Sequence, residues 1–510
     1  MIKKLLKTFK LNSTFSIASF VLFVVLCSVW TYLVAIQNLA YSSGTNILPL
    51  RSIDDFAFQS SLRTIIQHLS EGNFLGFFKD FSYGYGSIWW NSVSFIVYPF
   101  KSNEFLHIVL PRFLSQIFSL LSVLIIYKVL SRKSPVFAIL ASSILLMSTA
   151  VYHVSSMFHN HSFLFFIGSC LLYLSTTKLN FKKMIFVSAM CGIGVATKIT
   201  FFPVATYFFV YCFFKNGKMS CKEVLIYILI FIVSVLFFIS PLNLTFIYSM
   251  ESIEYFIYSL KNYTPIGNIY YVPRELNLVE FLNFLLVSFK DFYNVDAFVF
   301  YSSFVLLFGL TLFFLIKRKW LVLLSCVACI CMSLVFLFLY LRGFSGWDVT
   351  MYSIPGSVLF ISLIYQLLDL KKIKPLIIVL CCYYLAIVFS KVVIDQQHSF
   401  KEFTNTTRME EDSLKYELIS KAEKYILSKP EGYYSNIFYT LSLPLIYKMD
   451  DRIYTQVFEY FSELNSGEQC NFLIHTLMIS PPKNDTLYRP IFYDEKVGGF
   501  VEYGSGCPDE

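Results

Sequence analysis

Long apolar runs separated by short polar connectors repeat along most of the chain. Each run approaches the ~20 residues that an α-helix needs to cross the ~30 Å hydrocarbon core of a bilayer. The runs predict membrane spans at 13–37, 106–130, 134–154, 157–177, a long stretch 184–214 that divides near Lys198, and then 224–246, 296–316, 320–341, 350–370 and 374–393. The pattern therefore predicts a polytopic α-helical membrane protein over residues 1–394.

The basic connectors between these runs predict the topology. Lys and Arg cluster at 3–10, 132–133, 178–183, 215–222, 317–319 and 371–374. All six connectors fall on one face if 184–214 forms two short helices and 86–100 is re-entrant or interfacial. Cytoplasmic loops carry the excess of Lys and Arg, so this face is predicted to be cytoplasmic. The prediction is then about eleven crossings, with an outer C-terminal tail.

The polar parts of the chain are predicted to lie on the outer face. They comprise two loops, 38–105 and 247–295, a short turn at 152–161, and a tail at 395–510. The tail alternates a helical pattern at 408–428 with short aromatic runs and Pro- and Gly-containing turns, which indicates a small C-terminal extracytoplasmic α/β domain. Cys470 and Cys507 lie in this tail and are expected to pair if it is extracytoplasmic; otherwise they are free thiols.

Composition narrows the class of protein further. Hydrophobic residues make up 56% of the chain and charged residues 15%, which excludes an ordinary soluble protein. The net charge of +8 resides in the connectors, so no nucleic-acid partner is expected. The sequence contains no zinc-type Cys/His spacing, no P-loop and no Gly-x-Ser-x-Gly elbow, which leaves cytoplasmic nucleotide-sugar and hydrolase chemistry without support.

Two adjacent carboxylates, Asp54 and Asp55, follow the first apolar run at the start of a predicted short helix. Charge at the edge of a bilayer is costly unless it faces water, a partner or a substrate. One interpretation is that the pair meets a lipid-carried substrate in a groove. The alternative is a solvated loop with a helix-capping Asp.

The order of several motifs resembles the GT-C superfamily, which includes protein O-mannosyltransferases and the aminoarabinose transferases of lipid A. The matching segments are Asp54–Phe58, Tyr83–Trp90, Leu106–Lys133, Gly192–Lys198, and Arg342 followed by Tyr352 and Pro355. The resemblance extends over roughly residues 1–390. The turn at 157–161 departs from it, because many members carry an Arg and an acidic residue where this chain has Met-Phe-His-Asn-His.

The resemblance implies a glycosyltransferase that uses a sugar carried on a polyprenyl phosphate at the outer face of a bacterial plasma membrane. The sugar is a hexose or a pentose, and the acceptor is an envelope lipid, glycan or protein. Such transfer needs a carboxylate that takes the acceptor proton, fixed positive charge for the phosphate leaving group, and an apolar groove for the polyprenyl tail.

Candidate residues follow from these requirements. The catalytic base is predicted to be Asp54, with Asp55 assisting, binding a metal, or merely solvated. Lys198 divides an apolar run, where an unpaired ammonium is expensive, and is the first candidate for binding the donor phosphate; its alternative is snorkelling to the interface. Arg342 and Arg274 are further phosphate candidates, with interfacial anchoring as the alternative for Arg342.

Substrate contacts are predicted for four more residues. His159 and His161 are expected to bind sugar hydroxyls or, with Asp54, a divalent cation; their alternative is a polar interfacial role. Trp89, with Tyr85 in the same motif, is a candidate for stacking on a sugar ring, and interfacial anchoring is the alternative. A cofactor is not required by this chemistry, and a divalent metal stays open.

Two rival functions remain at this point. An O-antigen polymerase or ligase would also be polytopic, but such enzymes depend on outer-loop arginines and histidines. A transporter of lipid-linked sugars would place charged residues near mid-membrane in broken helices of two related halves. Lys198 alone fits the transporter pattern.

Overall fold

A computed structural model describes most of the apolar part of the chain and portions of the tail. The described residues are 14–40, 53–74, 77, 87–216, 220–239, 274–293, 297–341, 343, 346–370, 375, 378–379, 381–386, 406–430, 433–434, 436–440, 454–457, 470–476, 488–505 and 507. The chain forms two compact units. The first comprises Met1–Gln37, Ser61–Lys101 and Leu110–Asp395, and the second Asn38–Ser60, Ser102–Val109 and Gln396–Glu510.

The apolar runs form helices. They are α1 (Thr14–Ala40), α2 (Ile53–Ser70), α3 (Ser87–Val97), α4 (Glu104–Ser131), α5 (Pro135–Met147), α6 (Thr149–Ser155), α7 (His161–Ser175), α8 (Phe181–Thr197), α9 (Phe202–Asn216), α10 (Cys221–Ile239), α11 (Leu278–Tyr293), α12 (Ala297–Ile316), α13 (Trp320–Leu341) and α14 (Gly346–Leu367). Among the described residues, α1, α4, α12 and α13 are long and apolar enough to cross a membrane. Shorter apolar helices are α5, α7, α9 and the part of α14 from Tyr352.

One predicted span differs from the structure, and another lies mostly outside the described residues. The run 134–154 is not continuous, because Ser148 adopts an extended conformation (φ −70°, ψ 131°) between α5 and α6. The Ser148 hydroxyl then accepts a hydrogen bond from the backbone N–H of Val151 at 3.3 Å and so caps α6. Most of the predicted span 374–393 lies outside the described residues.

Within the segment 86–100, residues 87–97 form α3, an 11-residue helix, and a 3-10 turn follows at Tyr98–Phe100. At 1.5 Å per residue the helix is about 16 Å long, roughly half of what a crossing needs. This length agrees with the prediction that the segment does not cross the bilayer.

The predicted division of the 184–214 run is confirmed. Helix α8 ends at Thr197, and Lys198 is extended, with φ −159° and ψ 125°. A 3-10 turn at Ile199–Phe201 leads into α9. The turn is closed by the Phe201 N–H, which donates to the Lys198 carbonyl at 2.9 Å. The break therefore places a lysine between two helices in the apolar part of the fold.

A polar contact joins α9, α13 and α14 inside the first unit. The Tyr207 hydroxyl lies 2.8 Å from the Ser325 hydroxyl and 2.6 Å from that of Ser362. The Gln366 side-chain amide donates to the Ser325 hydroxyl at 2.5 Å. Buried polar groups stabilise a fold only when they are satisfied, so this network fixes the packing of the three helices.

Large apolar side chains on the surface of the helices fit a lipid environment. Val21 and Leu22 of α1 and Val305 and Leu312 of α12 are all more than half exposed. Large exposed apolar surfaces mark an interaction with a membrane or a partner. The helices and their surfaces are therefore those of an integral membrane protein.

The tail contains the predicted α/β elements. Helix α15 (Thr406–Ser428) covers the predicted 408–428 helix, and the strands are β1 (Asn436–Thr440), β2 (Tyr454–Val457), β3 (Asn471–Thr476), β4 (Tyr488–Asp494) and β5 (Gly498–Tyr503). The strand order is β2-β1-β3-β5-β4, with β1 parallel to β2 and β3, and β5 antiparallel to β3 and β4. Apolar residues of α15 pack with those of the sheet in one core. The predicted Cys470–Cys507 disulfide is formed.

A buried carboxylate lies beside this core. Glu502 of β5 is 1% exposed and accepts hydrogen bonds from the hydroxyls of Tyr434 and, at 3.4 Å, Tyr425. The Arg489 guanidinium lies 3.9 Å from its second carboxylate oxygen. Burial, followed by the hydrogen bond to Glu502, raises the pKa of Tyr434 above its ordinary value.

Candidate functional site

The acidic pair begins a helix, as predicted. Asp54 and Asp55 belong to the first turn of α2. One turn later Gln59 is fully buried, and its side-chain amide donates to the Ile108 carbonyl of α4 at 3.3 Å. This bond fixes the first half of α2 against α4. The side chains of Asp54 and Asp55 lie outside the described part of the structure, as do Arg342 and Tyr85, so their roles stay predictions.

Lys198 lies in a buried polar cluster. Its side chain is 6% exposed, and its ammonium is 4.3 Å from the centre of the Tyr352 ring of α14. The ammonium also lies 3.5 Å from Nε2 of His161, the first residue of α7. A cation over an aromatic face in a desolvated place gains about 2 kcal/mol. Lys198 is therefore held inside the protein rather than extended to the membrane interface.

Two histidines complete the cluster. His159 and His161 are each 1% exposed, and their rings stack with centres 4.2 Å apart. Their Nδ1 atoms are 2.5 Å apart, and the backbone N–H of His161 donates to Nδ1 of His159 at 3.3 Å. The His161 and Tyr352 rings are nearly perpendicular, with centres 5.4 Å apart. The structure thus brings together three predicted site residues, Lys198, His159 and His161.

The turn that carries the histidines is anchored to α4. The backbone N–H of His159 donates to the Ser115 hydroxyl at 3.4 Å, and the Ser119 hydroxyl donates to that of Ser162 at 3.2 Å. Asn160 lies between the two histidines and is fully buried. Neither polar atom of the Asn160 side chain has a hydrogen-bond partner among the residues that the structure describes. Burying an amide without a hydrogen-bond partner costs free energy. The Asn160 side chain is therefore able to form hydrogen bonds with a bound ligand.

Arg274 lies at a helix end in the first unit. Its backbone N–H donates to the Leu341 carbonyl at 3.0 Å, at the last residue of α13. Its guanidinium lies 4.9 Å from the centre of the Phe284 ring and 5.1 Å from that of Tyr340. The backbone of residue 274 is therefore beside the chain segment that leads to Arg342. The described contacts of Arg274 are aromatic, and its predicted role in binding phosphate stays a prediction.

Trp89 lies inside an aromatic cluster. It is 2% exposed, and its ring is between 5.4 and 5.8 Å from the rings of Phe118, Phe158 and Phe163. This packing gives the side chain a structural role in holding α3 against α4 and the histidine turn. It is not an exposed interfacial anchor, and stacking on a sugar stays a prediction.

A metal site is not apparent within the described ranges. No three His, Cys, Asp or Glu side chains there are grouped as a metal ion would require. A cation held by His159, His161 and Asp54 would need a carboxylate whose side chain is outside those ranges. The predicted divalent cation therefore stays a prediction.

The sequence interpretation missed two buried polar residues near this site. Asn160 was overlooked because Asn is common in solvated turns. Arg112 of α4 is 1% exposed, and Arg is almost never fully buried unless it is paired. The position of Arg112 within an apolar run is the sequence feature that predicts a site residue there, and the same feature identified Lys198.

The part of the chain that contains the buried polar cluster is similar to a known protein family. Residues 105–243 match the family described as dolichyl-phosphate-mannose-protein mannosyltransferase. The matched stretch includes Lys198 and both histidines. No curated protein is similar enough to the chain to serve as a relative. Over these residues the chain is similar to a family of membrane glycosyltransferases that use a lipid-linked sugar, and this similarity confirms the resemblance to the GT-C superfamily.

Proposed function

We propose that the protein transfers a sugar from a polyprenyl-phosphate donor to an envelope lipid, glycan or protein acceptor at the extracytoplasmic face of a bacterial plasma membrane. The observation that carries the proposal is the buried ammonium of Lys198 at a helix break within the family-matched stretch. A charge inside an apolar helix bundle is costly and marks a functional site by default.

The donor phosphate accounts for the position of Lys198. As the sugar is transferred, the acceptor oxygen forms a bond to the anomeric carbon and the bond from that carbon to the phosphate oxygen breaks. The electron pair stays on the phosphate, so the leaving polyprenyl phosphate gains negative charge. A fixed ammonium in a water-poor site stabilises this charge more strongly than it would in water. Asp54 is the proposed base that takes the acceptor proton.

An apolar groove beside the helix break supports the lipid part of the proposal. It has a volume of about 670 Å³ and is lined by residues of α8, α9, α10 and α13 together with Thr200. Val195 and Thr200, which flank Lys198 in the chain, both line it. The polyprenyl tail can therefore lie against apolar side chains close to the lysine that binds its phosphate.

The disulfide supports the proposed face of the membrane. Structural disulfides persist in extracytoplasmic compartments and are rare in the cytosol. Cys470 and Cys507 form one in the tail. The proposal therefore comprises a membrane catalytic domain at 1–394 and an extracytoplasmic domain at 395–510. Asp55, Arg342 and Arg274 are proposed to assist near the same outer face.

Transfer can be tested with a defined donor. Purified protein in lipid vesicles is incubated with tritium-labelled mannosyl polyprenyl phosphate and an extract of cell-envelope acceptors. Lys198→Met should lower transfer by at least about a hundredfold, as removal of a donor to a developing oxyanion does. Lys182→Met, at an exposed position near the start of α8, is the matched control and should keep wild-type activity. Equal activity of the two variants would contradict the proposal.

A further inference from the structure

The hydrogen bonds between the two histidines determine which ring nitrogens carry protons. A backbone N–H can only donate, and that of His161 points at Nδ1 of His159 at 3.3 Å. Nδ1 of His159 is therefore the acceptor, and a neutral His159 carries its proton on Nε2. The same Nδ1 atom lies 2.5 Å from Nδ1 of His161. The Lys198 ammonium can only donate and lies 3.5 Å from Nε2 of His161, so Nε2 is the acceptor there and a neutral His161 carries its proton on Nδ1.

The tautomer of His161 determines how it meets the lysine. With its proton on Nδ1, a neutral His161 has a lone pair on Nε2. That atom lies 3.5 Å from the Lys198 ammonium, which has only protons to offer. The direction of donation is thus the same along the row, from Lys198 to His161 and from His161 to His159.

We propose that His161 and His159 are positioning residues that hold the Lys198 ammonium where it binds the donor phosphate. This inference rests on the proposed function only for the role of Lys198. His159 fixes the tautomer of His161, and His161 presents Nε2 as a neutral acceptor. The Tyr352 ring covers another side of the same ammonium at 4.3 Å. Two of the ammonium's contacts are therefore uncharged groups.

A neutral acceptor suits a phosphate-binding lysine. A carboxylate in the same position would form an ion pair with the ammonium and compete with the phosphate for it. An imidazole lone pair directs one N–H bond and leaves the positive charge in place. The proposed role therefore requires an uncharged acceptor at position 161, which the neutral His161 supplies.

Two substitutions at His161 separate the positioning role from simple packing. In His161→Gln, the side-chain carbonyl reaches the position of Nε2 and accepts from Lys198, while the bond to His159 is lost. In His161→Asn, the amide lies near the position of Nδ1, so the bond to His159 is retained and the bond to Lys198 is lost. Hydrogen bonds to charged groups are strong enough that losing one weakens binding by about tenfold to a hundredfold.

The experiment measures both binding and transfer. Binding of polyprenyl phosphate without a sugar is measured for the wild type, Lys198→Met and both His161 variants in vesicles. The KM for the labelled donor is measured for the wild type and both His161 variants. His161→Asn should raise the dissociation constant and the donor KM by about tenfold or more, with a smaller change in kcat, whereas His161→Gln should stay within about threefold of the wild type. Thermal unfolding of each variant shows whether packing is preserved.

The outcomes distinguish the two proposals. If Lys198→Met binds polyprenyl phosphate as the wild type does, the proposed role of Lys198 fails. If Lys198→Met loses binding while the Gln and Asn variants behave alike, the positioning role is refuted and the role of Lys198 stands. Nitrogen-15 spectra of histidine-labelled wild-type protein provide a second readout: opposite tautomers for the two rings are expected, and a proton on Nε2 of neutral His161 would overturn the inference.

Discussion

The substitution Gly194→Ala is expected to displace the turn that carries Lys198. A Cβ atom at Gly194 would lie 2.4 Å from two ring carbons of Phe201. Carbon atoms pack favourably at about 3.5–4.0 Å, so the ring must move by roughly 1 Å or more. Phe201 is 1% exposed, and its backbone N–H donates to the Lys198 carbonyl. Because the ring is buried and belongs to the turn that follows Lys198, we expect its displacement to shift that turn.

Gly194→Ala is expected to lower both the stability of the fold and the rate of transfer. Overpacking a well-filled core destabilises a protein by about 1–3 kcal/mol. A misplacement of about 1 Å at a reacting group lowers the rate by about a hundredfold. Gly194→Ala should therefore lower the unfolding temperature modestly and the transfer rate strongly. Both quantities are measured on purified protein, by thermal unfolding in detergent and by transfer of labelled sugar from mannosyl polyprenyl phosphate.

Two further variants control the interpretation. Gly309→Ala in α12 is the matched control, because a Cβ atom there would meet nothing within 4 Å and a helical Gly→Ala change is neutral or stabilising. Combining Gly194→Ala with Phe201→Leu should recover part of the lost activity, since the smaller side chain leaves room for the methyl group. Equal transfer rates for Gly194→Ala and Gly309→Ala would contradict the expected displacement of the Lys198 turn.

Three other substitutions test interactions within each of the two units. Tyr207→Phe removes the hydroxyl that links Ser325 of α13 to Ser362 of α14 and should cost about 1–3 kcal/mol in unfolding free energy, whereas Tyr211→Phe, which breaks no described hydrogen bond, should cost less. Cys470→Ser opens a loop with a sequence separation of 37 residues. The tail should lose about 4 kcal/mol of unfolding free energy, because the disulfide no longer restricts the unfolded chain, and its proteolysis should be faster. Cys221→Ser, which changes an exposed free thiol, should leave the rate of proteolysis unchanged. Because the pKa of Tyr434 is raised in the folded tail, the folded state keeps the phenol proton while the unfolded state loses it above about pH 10. The unfolding free energy of the tail should therefore fall as the pH rises above about 10. Tyr434→Phe should reduce that fall in alkaline unfolding titrations.

Features that depend on hydropathy and local charge were predictable from the sequence. The break at Lys198 follows because a charged residue within an apolar run is best placed at a helix end. The break at Ser148 did not follow, because a serine changes the hydropathy of an apolar run very little. The helix at 408–428 and the disulfide were predictable from pattern and composition, whereas the strand order of the tail depends on long-range pairing.

The contacts within the site were not predictable. His161 and Lys198 are far apart in the chain and meet only because α7 and α8 pack against each other. Which histidine nitrogen accepts a hydrogen bond depends on the position of the His161 backbone N–H, and the local sequence does not determine that position. Trp89 was expected near an interface, yet three phenylalanine rings enclose it, because aromatic residues are equally suited to a packed helix junction.

Transfer of labelled sugar by the wild type and Asp54→Asn tests the central claim most directly. Wild-type protein in vesicles should move the label from mannosyl polyprenyl phosphate to an envelope acceptor, and Asp54→Asn should abolish this movement while still inserting and binding polyprenyl phosphate. The account is contradicted if the wild type leaves the label on the intact donor, whether it stays in place or crosses the bilayer, or if Asp54→Asn transfers sugar at the wild-type rate.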